Sequence, residues 1–260
     1  MDAKGPTESF WIDMADTMFP PERIAAADAE VQAYSKLLAL DRPLDILDMP
    51  CGVGRHSIAW ARRGHRVTGV DITQCYLDRA RATPVAALSD GRAPGPITFV
   101  HADMAAFNRP ASFDLLTNLW TSFGYADTPE GDEAVALSFF RALRPGGRLL
   151  MDLAGKEVVV RRFQTHRWHP REGRALILEE ARVLDAWRSV AMRWIAIEPG
   201  HDGQGACVKD QTTRLRLYSA CELTDLLRRV GFRDCREFGS SAGVPYDHEA
   251  TRLVVIATKP

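Results

Sequence analysis

Three features are scarce in this sequence: paired cysteines, an excess of charge of one sign, and long apolar runs. Five cysteines are scattered through 260 residues, and no two of them stand in a C-x-x-C arrangement. Zinc sites and disulfide frameworks need closely and regularly spaced cysteines, so we expect neither here. We expect free thiols of the kind found in a reducing compartment.

The balance of charge narrows the range of partners. There are 33 basic and 34 acidic residues, which gives a formal net charge of -1. Non-specific nucleic-acid binding needs a basic face that neutralises phosphates, so a nucleic-acid partner is disfavoured, although a local basic patch would still permit one. No apolar run approaches the ~20 residues of a membrane-spanning helix, and the first residues lack the layout of a signal peptide. We therefore expect a cytoplasmic protein with no membrane partner.

Between residues 44 and 153, short apolar runs alternate with helical patterns. Thr128 and Pro129 are a helix N-cap and a first helical residue, and they open the longest of the predicted helices. Strands that alternate with helices at this spacing predict an α/β fold with a doubly wound, mostly parallel sheet covered on both faces. The predicted strands are 44–48, 66–71, 96–100, 113–119 and 148–153.

The pattern changes after residue 155. Strand-like runs at 176–178, 190–197 and 212–218 predict an antiparallel β cap inserted into the core. A capping box at Ser219–Glu222 then opens a helix that is closed by Gly231, and two more strands follow. We therefore divide the chain into a helical lid, a core, a cap, and a last helix with two strands of the core. Their predicted bounds are 1–43, 44–155, 156–217 and 218–260.

A glycine turn follows the first predicted strand, in the segment Asp48-Met49-Pro50-Cys51-Gly52-Val53-Gly54. A dinucleotide site would have a third glycine three residues after Gly54, where this chain has Ser57, and this disfavours an NAD-dependent oxidoreductase. Asp48 stands ahead of the turn, a position that suits a ligand with a cationic amino group. The N–H groups of the turn can still bind an anion such as a carboxylate.

Acidic residues also end the next two predicted strands. Asp71 is placed to accept both hydroxyls of a ribose. Asp103 is placed to accept an adenine amino proton, and Met104 to pack on the adenine ring. A ligand with an amino acid at one end and adenosine at the other is S-adenosylmethionine.

In these ordered motifs the sequence resembles the class I S-adenosylmethionine-dependent methyltransferases. The resemblance rests on 48–57, Gly69-Val70-Asp71, His101-Ala102-Asp103-Met104 and Pro145-Gly146-Gly147. It implies a seven-stranded sheet and S-adenosylmethionine as cofactor, with S-adenosylhomocysteine as product. Cofactor-binding roles follow for Asp48, Pro50, Cys51, Gly52, Gly54, His56, Asp71, Ile72, Asp103, Met104, Leu119 and Trp120.

The acceptor side is less defined. Trp11 and Arg23 belong to the predicted lid; Arg23 would pair with the carboxylate of the cofactor's methionine, or else face solvent as an ordinary surface arginine. The candidate catalytic residues are His248 as a general base, Tyr125 at the edge of the fourth strand, and Tyr218 where the cap rejoins the core.

No metal-ligand cluster is visible in the sequence, which favours methylation of nitrogen, or base-assisted methylation of oxygen, on a small-molecule acceptor. A peptide acceptor stays open, as do the oligomeric state and a non-catalytic, cofactor-binding regulatory role.

Overall fold

The computed structural model describes residues 6–86, 88, 93–169, 176–199 and 205–260. The N-terminal part forms short helices: α1 (Glu8–Asp13), α2 (Ala15–Met18), α3 (Pro21–Ala25) and α4 (Ala27–Leu37). The core follows with β1 (Asp45–Asp48), α5 (Arg55–Arg62), β2 (Arg66–Asp71), α6 (Gln74–Ala82), β3 (Ile97–His101), β4 (Phe113–Asn118), α7 (Pro129–Ala142), β5 (Leu143–Leu153) and α8 (Lys156–Arg162). The remaining elements are β6 (His166–His169), β7 (Leu176–Leu184), β8 (Ser189–Pro199), β9 (Gly205–Arg216), α9 (Ala220–Val230), β10 (Arg233–Phe238) and β11 (Leu253–Thr258).

The core sheet has seven strands in the order β10-β11-β5-β4-β1-β2-β3. Its strands β1 to β5 pair in parallel, whereas β11 runs antiparallel to both β5 and β10. The central strands are buried along almost their whole length because helices cover both faces, as in other parallel sheets. The predicted fold, a seven-stranded, mostly parallel sheet, is confirmed.

Apolar side chains on the two faces of the sheet hold the covering helices. On one face, Ile46 and Leu150 pack with Val31 of α4 and Trp60 of α5. On the other, Leu116 and Leu149 belong to a cluster that takes in residues of α7 and α9. Both of these helices begin as the sequence predicts: the Thr128 hydroxyl accepts a hydrogen bond from Gly131 N, and Ser219 and Glu222 form a capping box.

The order of the strands creates a crevice at one edge of the sheet. Chain order reverses between β1 and β4, and ligands in open α/β sheets bind beyond the carboxyl ends of the strands at such a switch point. The strands that flank it, β1 and β4, end at Asp48 and Asn118, and the next strand beside β1, β2, ends at Asp71.

A second sheet lies apart from the core sheet, with the antiparallel order β6-β7-β8-β9. Ile177 and Ala196 of this sheet pack against Phe10 and Met14 of the N-terminal helices. The predicted antiparallel β cap is therefore confirmed. It contacts the N-terminal helices through apolar side chains.

Three local features differ from the predictions. β5 begins at Leu143 rather than Arg148, because the backbone ladder continues through Gly146 and Gly147 by hydrogen bonds with Lys259. The short helix α8 and strand β6 were not predicted, since neither is long enough to show a clear periodicity.

Within the described ranges, no helix has the length and apolar character needed to cross a bilayer.

Candidate functional site

The turn between β1 and α5 can be built only with glycine at two positions. Gly52 and Gly54 have φ angles of 55° and 76°, in the left-handed region. A Cβ atom on Gly52 would also lie 2.6 Å from the ring of Phe19. The turn is fixed to β2 by a hydrogen bond of 2.8 Å from Cys51 N to the Val70 carbonyl oxygen.

Asp48 lies beneath this turn. It is 1% exposed, and its carboxylate accepts hydrogen bonds from the hydroxyls of Ser57 at 2.6 Å and Thr117 at 2.9 Å. Burial raises the pKa of Asp48. Its side chain therefore organises the turn from below, and it is not among the residues that line the cavity described next.

A cavity of about 360 Å³ opens above the carboxyl ends of β1, β2 and β4, within the size range of small-molecule sites. The structure brings together around it most of the residues that the sequence predicts for the cofactor. These are Trp11, Arg23, Pro50, Cys51, Gly52, His56, Asp71, Ile72, Asp103, Met104, Leu119 and Trp120, and they are joined by Tyr125. We call this space the cofactor cavity.

Asp71 ends β2 at the wall of the cofactor cavity. One of its carboxylate oxygens accepts a hydrogen bond from Gly52 N at 2.7 Å, and the other accepts one from Thr73 N at 2.8 Å. Burial raises the pKa of Asp71, although these two backbone hydrogen bonds act to lower it. Each oxygen keeps a second lone pair, so the carboxylate can still accept hydroxyl groups.

The N-terminal helices cover the cofactor cavity. Trp11 contacts Tyr125 edge to face, with ring centroids 5.4 Å apart, and Phe19 contacts Tyr76 in the same way at 5.0 Å. The Tyr76 hydroxyl donates a hydrogen bond to the carbonyl oxygen of Trp11. These contacts place the predicted lid over the glycine turn.

Glu30 of α4 joins this covering to the core. Its carboxylate accepts hydrogen bonds from Arg55 at 2.6 Å and Trp120 at 3.0 Å, and it lies 2.7 Å from Nε2 of His56. Burial acts to raise the pKa of Glu30, but the hydrogen bond with His56 and the charge of Arg55 lower it to about 2. The group is therefore an ionised anchor at neutral pH.

Trp120 and Thr121 have an uncommon backbone. Both have φ near 60° (59° and 60°), a conformation that costs non-glycine residues free energy and is concentrated at functional sites. The guanidinium groups of Arg23, Arg55 and Arg252 lie 4.7, 4.8 and 5.3 Å from the centre of the Trp120 ring. The strained corner is thus stabilised by cation–π contacts and by the hydrogen bond to Glu30.

Arg55 carries a polar atom that the protein leaves unused. Its side chain is 3% exposed; Nη1 donates to Glu30 and to the Arg23 carbonyl oxygen, while Nη2 has no hydrogen-bond partner among the described residues. An unpaired donor of this kind, at the wall of a cavity, fits a carboxylate of the ligand. The cradle at Gly52 and the carboxylate of Asp71 complete a set that fits S-adenosylmethionine.

Four predicted site residues do not line the cofactor cavity. Besides Asp48, Gly54 shapes the turn from its far side, where Ala80 and Phe99 lie closest. Tyr218 donates a 2.8 Å hydrogen bond to the buried Asp132. His248 is exposed in the loop between β10 and β11, so the geometry gives no support to a general base there.

Two groups near the turn are held in their protonated forms. Burial, and next the charges of Asp48 and Asp71, raises the pKa of the Cys51 thiol, so Cys51 is not a nucleophile at neutral pH. Burial raises the pKa of Tyr125 to about 12. Among the described residues, no group of three or more His, Cys, Asp or Glu side chains is placed to hold a metal ion.

Some contributors to the site were missed from the sequence. Glu30 and Arg252 lie far from any glycine motif, and only the folded chain brings them to Trp120. Arg55 directly follows Gly54, so its position beside the glycine turn could have identified it as a site residue. For Phe19 and Tyr76, only their aromatic side chains could have indicated a place in the site.

Comparisons with known proteins agree with this geometry. Residues 46–147 match the family described as methyltransferase domain. The chain is 32% identical over 112 residues to the S-adenosyl-L-methionine-dependent Diels-Alderase iliD of Neonectria sp., covering 43% of this chain and 39% of that protein. It is 34% identical over 115 residues to the ubiquinone biosynthesis O-methyltransferase of Idiomarina loihiensis, covering 44% of this chain and 43% of that protein. In both cases the similarity spans less than half the length of the curated relative.

The likeness of fold extends much further along the chain. The structure of the CcbJ methyltransferase from Streptomyces caelestis superposes with a TM-score of 0.74 at 17% identity, covering 96% of each chain. The chain therefore has the class I methyltransferase fold, and its residues 46–147 match the model of the methyltransferase domain family.

Proposed function

We propose that this protein is an S-adenosylmethionine-dependent methyltransferase that acts on a nitrogen or oxygen of a small-molecule acceptor. The observation that carries the proposal is the cofactor cavity, because it gathers a glycine cradle, the carboxylate of Asp71 and a buried arginine with one unused guanidinium nitrogen at the switch point of the sheet. The matched methyltransferase domain and the named relatives support it.

In the proposed arrangement Asp71 holds the ribose hydroxyls, and Asp103 and Met104 lie beside the adenine. Arg55 takes the methionine carboxylate through its unused Nη2, next to Arg23, which already donates to the Met18 carbonyl oxygen at 2.5 Å. When bound, the cofactor supplies a methyl group on a sulfonium, which is a reactive carbon electrophile.

The protein's part in transfer is to exclude water and align the acceptor. With the cofactor bound, the acceptor lone pair would form the new bond to the methyl carbon as the carbon–sulfur bond breaks; the broken bond's electron pair would stay on sulfur, and the acceptor's proton would leave to solvent. Holding the reacting atoms ~3 Å apart and in line supplies most of the acceleration. Tyr125 stays protonated at neutral pH because its pKa is about 12, so it acts as a hydrogen-bonding group rather than as a base.

The test is turnover with radiolabelled methyl cofactor. The purified protein is incubated with a panel of small amines and phenols, and transferred label and S-adenosylhomocysteine are measured; Asp71→Ala serves as the cofactor-site control. We expect label in at least one acceptor with the wild type and almost none with Asp71→Ala. Tight cofactor binding with no product from any acceptor would contradict the proposal and favour a non-catalytic, cofactor-binding protein.

A further inference from the structure

A second cavity lies beneath the cap and meets the cofactor cavity. Its volume is about 340 Å³, similar to that of the first. Thr121 and Tyr125 line both cavities, so the two spaces adjoin at the strained corner after β4. We call the second space the cap cavity.

The position of the cap cavity matches what methyl transfer requires. An acceptor has to reach the transferable methyl group while the rest of its body is held elsewhere. The Thr121 hydroxyl is fixed at the junction, because it accepts hydrogen bonds from Ala154 N at 2.8 Å and from Arg252 at 3.2 Å. Among the described residues the Tyr125 hydroxyl has no hydrogen-bond partner, so it can bond to a molecule that spans the junction.

The wall of the cap cavity is largely apolar. It is built from α8, from the loop that follows this helix, and from the facing strands of the cap; Val158, Phe163, Val190, Met192 and Leu215 are among its residues. Such a wall binds a hydrocarbon or aromatic body by removing its surface from water.

The charges on the wall are mostly positive. Arg162, Arg167 and Arg252 line the cap cavity, and Glu179 is the acidic residue there. Arg252 is paired with Asp152 at 2.5 Å. Glu179 has a partner of its own. No acidic side chain lies within ion-pair distance of Arg162 or Arg167 in the described part of the chain, and both residues are exposed as well as lining the cavity.

We propose that the cap cavity is the acceptor site and that it takes a molecule with an apolar body and an anionic group, such as a carboxylate or a phosphate. This rests on the proposed methyltransferase function. Arg162 and Arg167 hold the anionic group at the solvent side, and the apolar wall holds the body, so that the nucleophilic atom points to Thr121 and Tyr125. The nearby cations also disfavour an ammonium, which keeps an amine acceptor in its nucleophilic, uncharged form.

A matched pair of fluorescent probes tests this without knowledge of the true acceptor. The anion 8-anilinonaphthalene-1-sulfonate and the neutral N-phenyl-1-naphthylamine share one ring system and differ by the sulfonate. Their affinities are measured for the wild type, for Arg162→Gln/Arg167→Gln, and for the control Arg109→Gln/Arg229→Gln, whose exposed arginines line neither cavity. Affinity for S-adenosylhomocysteine is measured on the same samples.

We expect the Arg162→Gln/Arg167→Gln variant to bind the sulfonate about tenfold more weakly than the control variant at low salt, and the neutral probe about equally. The difference should shrink as salt is added, because both arginines are exposed. Ala181→Phe, which fills the cavity from β7, should weaken the binding of both probes and leave the affinity for S-adenosylhomocysteine unchanged.

Other outcomes overturn the proposal. Equal affinity of the two double variants for the sulfonate probe would show that Arg162 and Arg167 do not bind the anionic group. An equal loss of both probes in Arg162→Gln/Arg167→Gln would assign these arginines a structural role. Probe binding that is unaffected by Ala181→Phe would place the probes outside the cap cavity. A failure of the proposed function is distinguishable, since it would appear as loss of S-adenosylhomocysteine binding in the wild type itself.

Discussion

At the scale of single residues, we propose that Asp71 and Arg55 divide the recognition of the cofactor between its two ends. In this proposal Asp71 binds the ribose end through a carboxylate that two backbone N–H groups hold in place. Arg55 would bind the amino-acid end through a buried nitrogen that has no hydrogen-bond partner among the described residues. Two ligands separate these roles: S-adenosylhomocysteine has both ends, and 5′-methylthioadenosine lacks the amino-acid end.

The ribose end gives the first prediction. Asp71→Ala should weaken both S-adenosylhomocysteine and 5′-methylthioadenosine by at least about tenfold, because both ligands lose hydrogen bonds to a charged group. Isothermal titration measures the two affinities. Asp78→Ala, an exposed acidic residue of α6 that does not line the cavity, is the control and should bind both ligands normally. Normal binding by Asp71→Ala would show that the ribose lies elsewhere.

The amino-acid end gives the second prediction. Arg55→Gln should weaken S-adenosylhomocysteine about tenfold or more, and 5′-methylthioadenosine by less than about twofold. A purely structural role for Arg55 would lower both affinities together. Arg23→Gln, measured in parallel, should have the smaller effect, since Arg23 already donates to the Met18 carbonyl oxygen. The reverse ranking would make Arg23 the carboxylate partner.

The sequence predicts the cavity-lining residues that stand close to the end of a strand. Pro50, Gly52, Asp71 and the Asp103–Met104 pair stand at fixed distances from strand ends, so a sequence pattern locates them. Asp48 was placed correctly along the chain, but its side chain turns toward Ser57 and Thr117 rather than the cavity. Only the packed structure decides such a direction.

At the scale of elements, α4 attaches the lid to the core through two side chains. Glu30 accepts a hydrogen bond from Trp120, and the Tyr34 hydroxyl donates a hydrogen bond to Asp152. The sequence predicts a helical lid over residues 1–43, but it does not identify the core residues that Glu30 contacts. The lid was therefore predictable as an element, and its attachment was not.

The attachment gives the third prediction. The pKa of Glu30 is lowered from 4.5 to about 2 in the folded chain, so its ionised form stabilises the fold above about pH 4.5, and this contribution is lost as the pH falls toward 2. Glu30→Gln should lower the free energy of unfolding by about 2 kcal/mol at pH 7 and by clearly less at pH 3. Urea titrations at the two pH values measure the difference.

The matched control for this prediction is Glu22→Gln. Glu22 is exposed on α3, so its replacement should leave the stability nearly unchanged at both pH values. A Glu30→Gln effect that is as large at pH 3 as at pH 7 would contradict the ionised anchor.

At the scale of the whole molecule, the fold depends on local sequence patterns, whereas the two cavities depend on contacts between distant parts of the chain. The core sheet follows from alternating strands and helices, and this is why its topology could be predicted from the sequence. Both cavities depend on contacts between parts that are remote in the chain, such as Trp11 with Tyr125 and the cap strands with α8. The general place of the site was therefore predictable, while its shape and its charges were not.

The same arrangement predicts a stabilising effect of ligand on the whole chain. A molecule bound between lid and core stabilises the folded state by an amount that rises with the logarithm of its concentration over its dissociation constant. S-adenosylhomocysteine should raise the melting temperature of the wild type, and Arg162→Gln/Arg167→Gln should respond in the same way, because those arginines do not line the cofactor cavity. Thermal unfolding followed by intrinsic tryptophan fluorescence measures the shift; its absence in the variant would show that the two cavities are not independent.

The central claim is that the cavity above the glycine turn binds the sulfonium cofactor rather than a dinucleotide. Isothermal titration of the wild-type protein with S-adenosylhomocysteine, and in parallel with NADH, tests it most directly. We expect one molecule of S-adenosylhomocysteine per chain, with saturation well below about 1 mM, and no measurable heat from NADH. Saturable NADH binding without binding of S-adenosylhomocysteine would contradict the account.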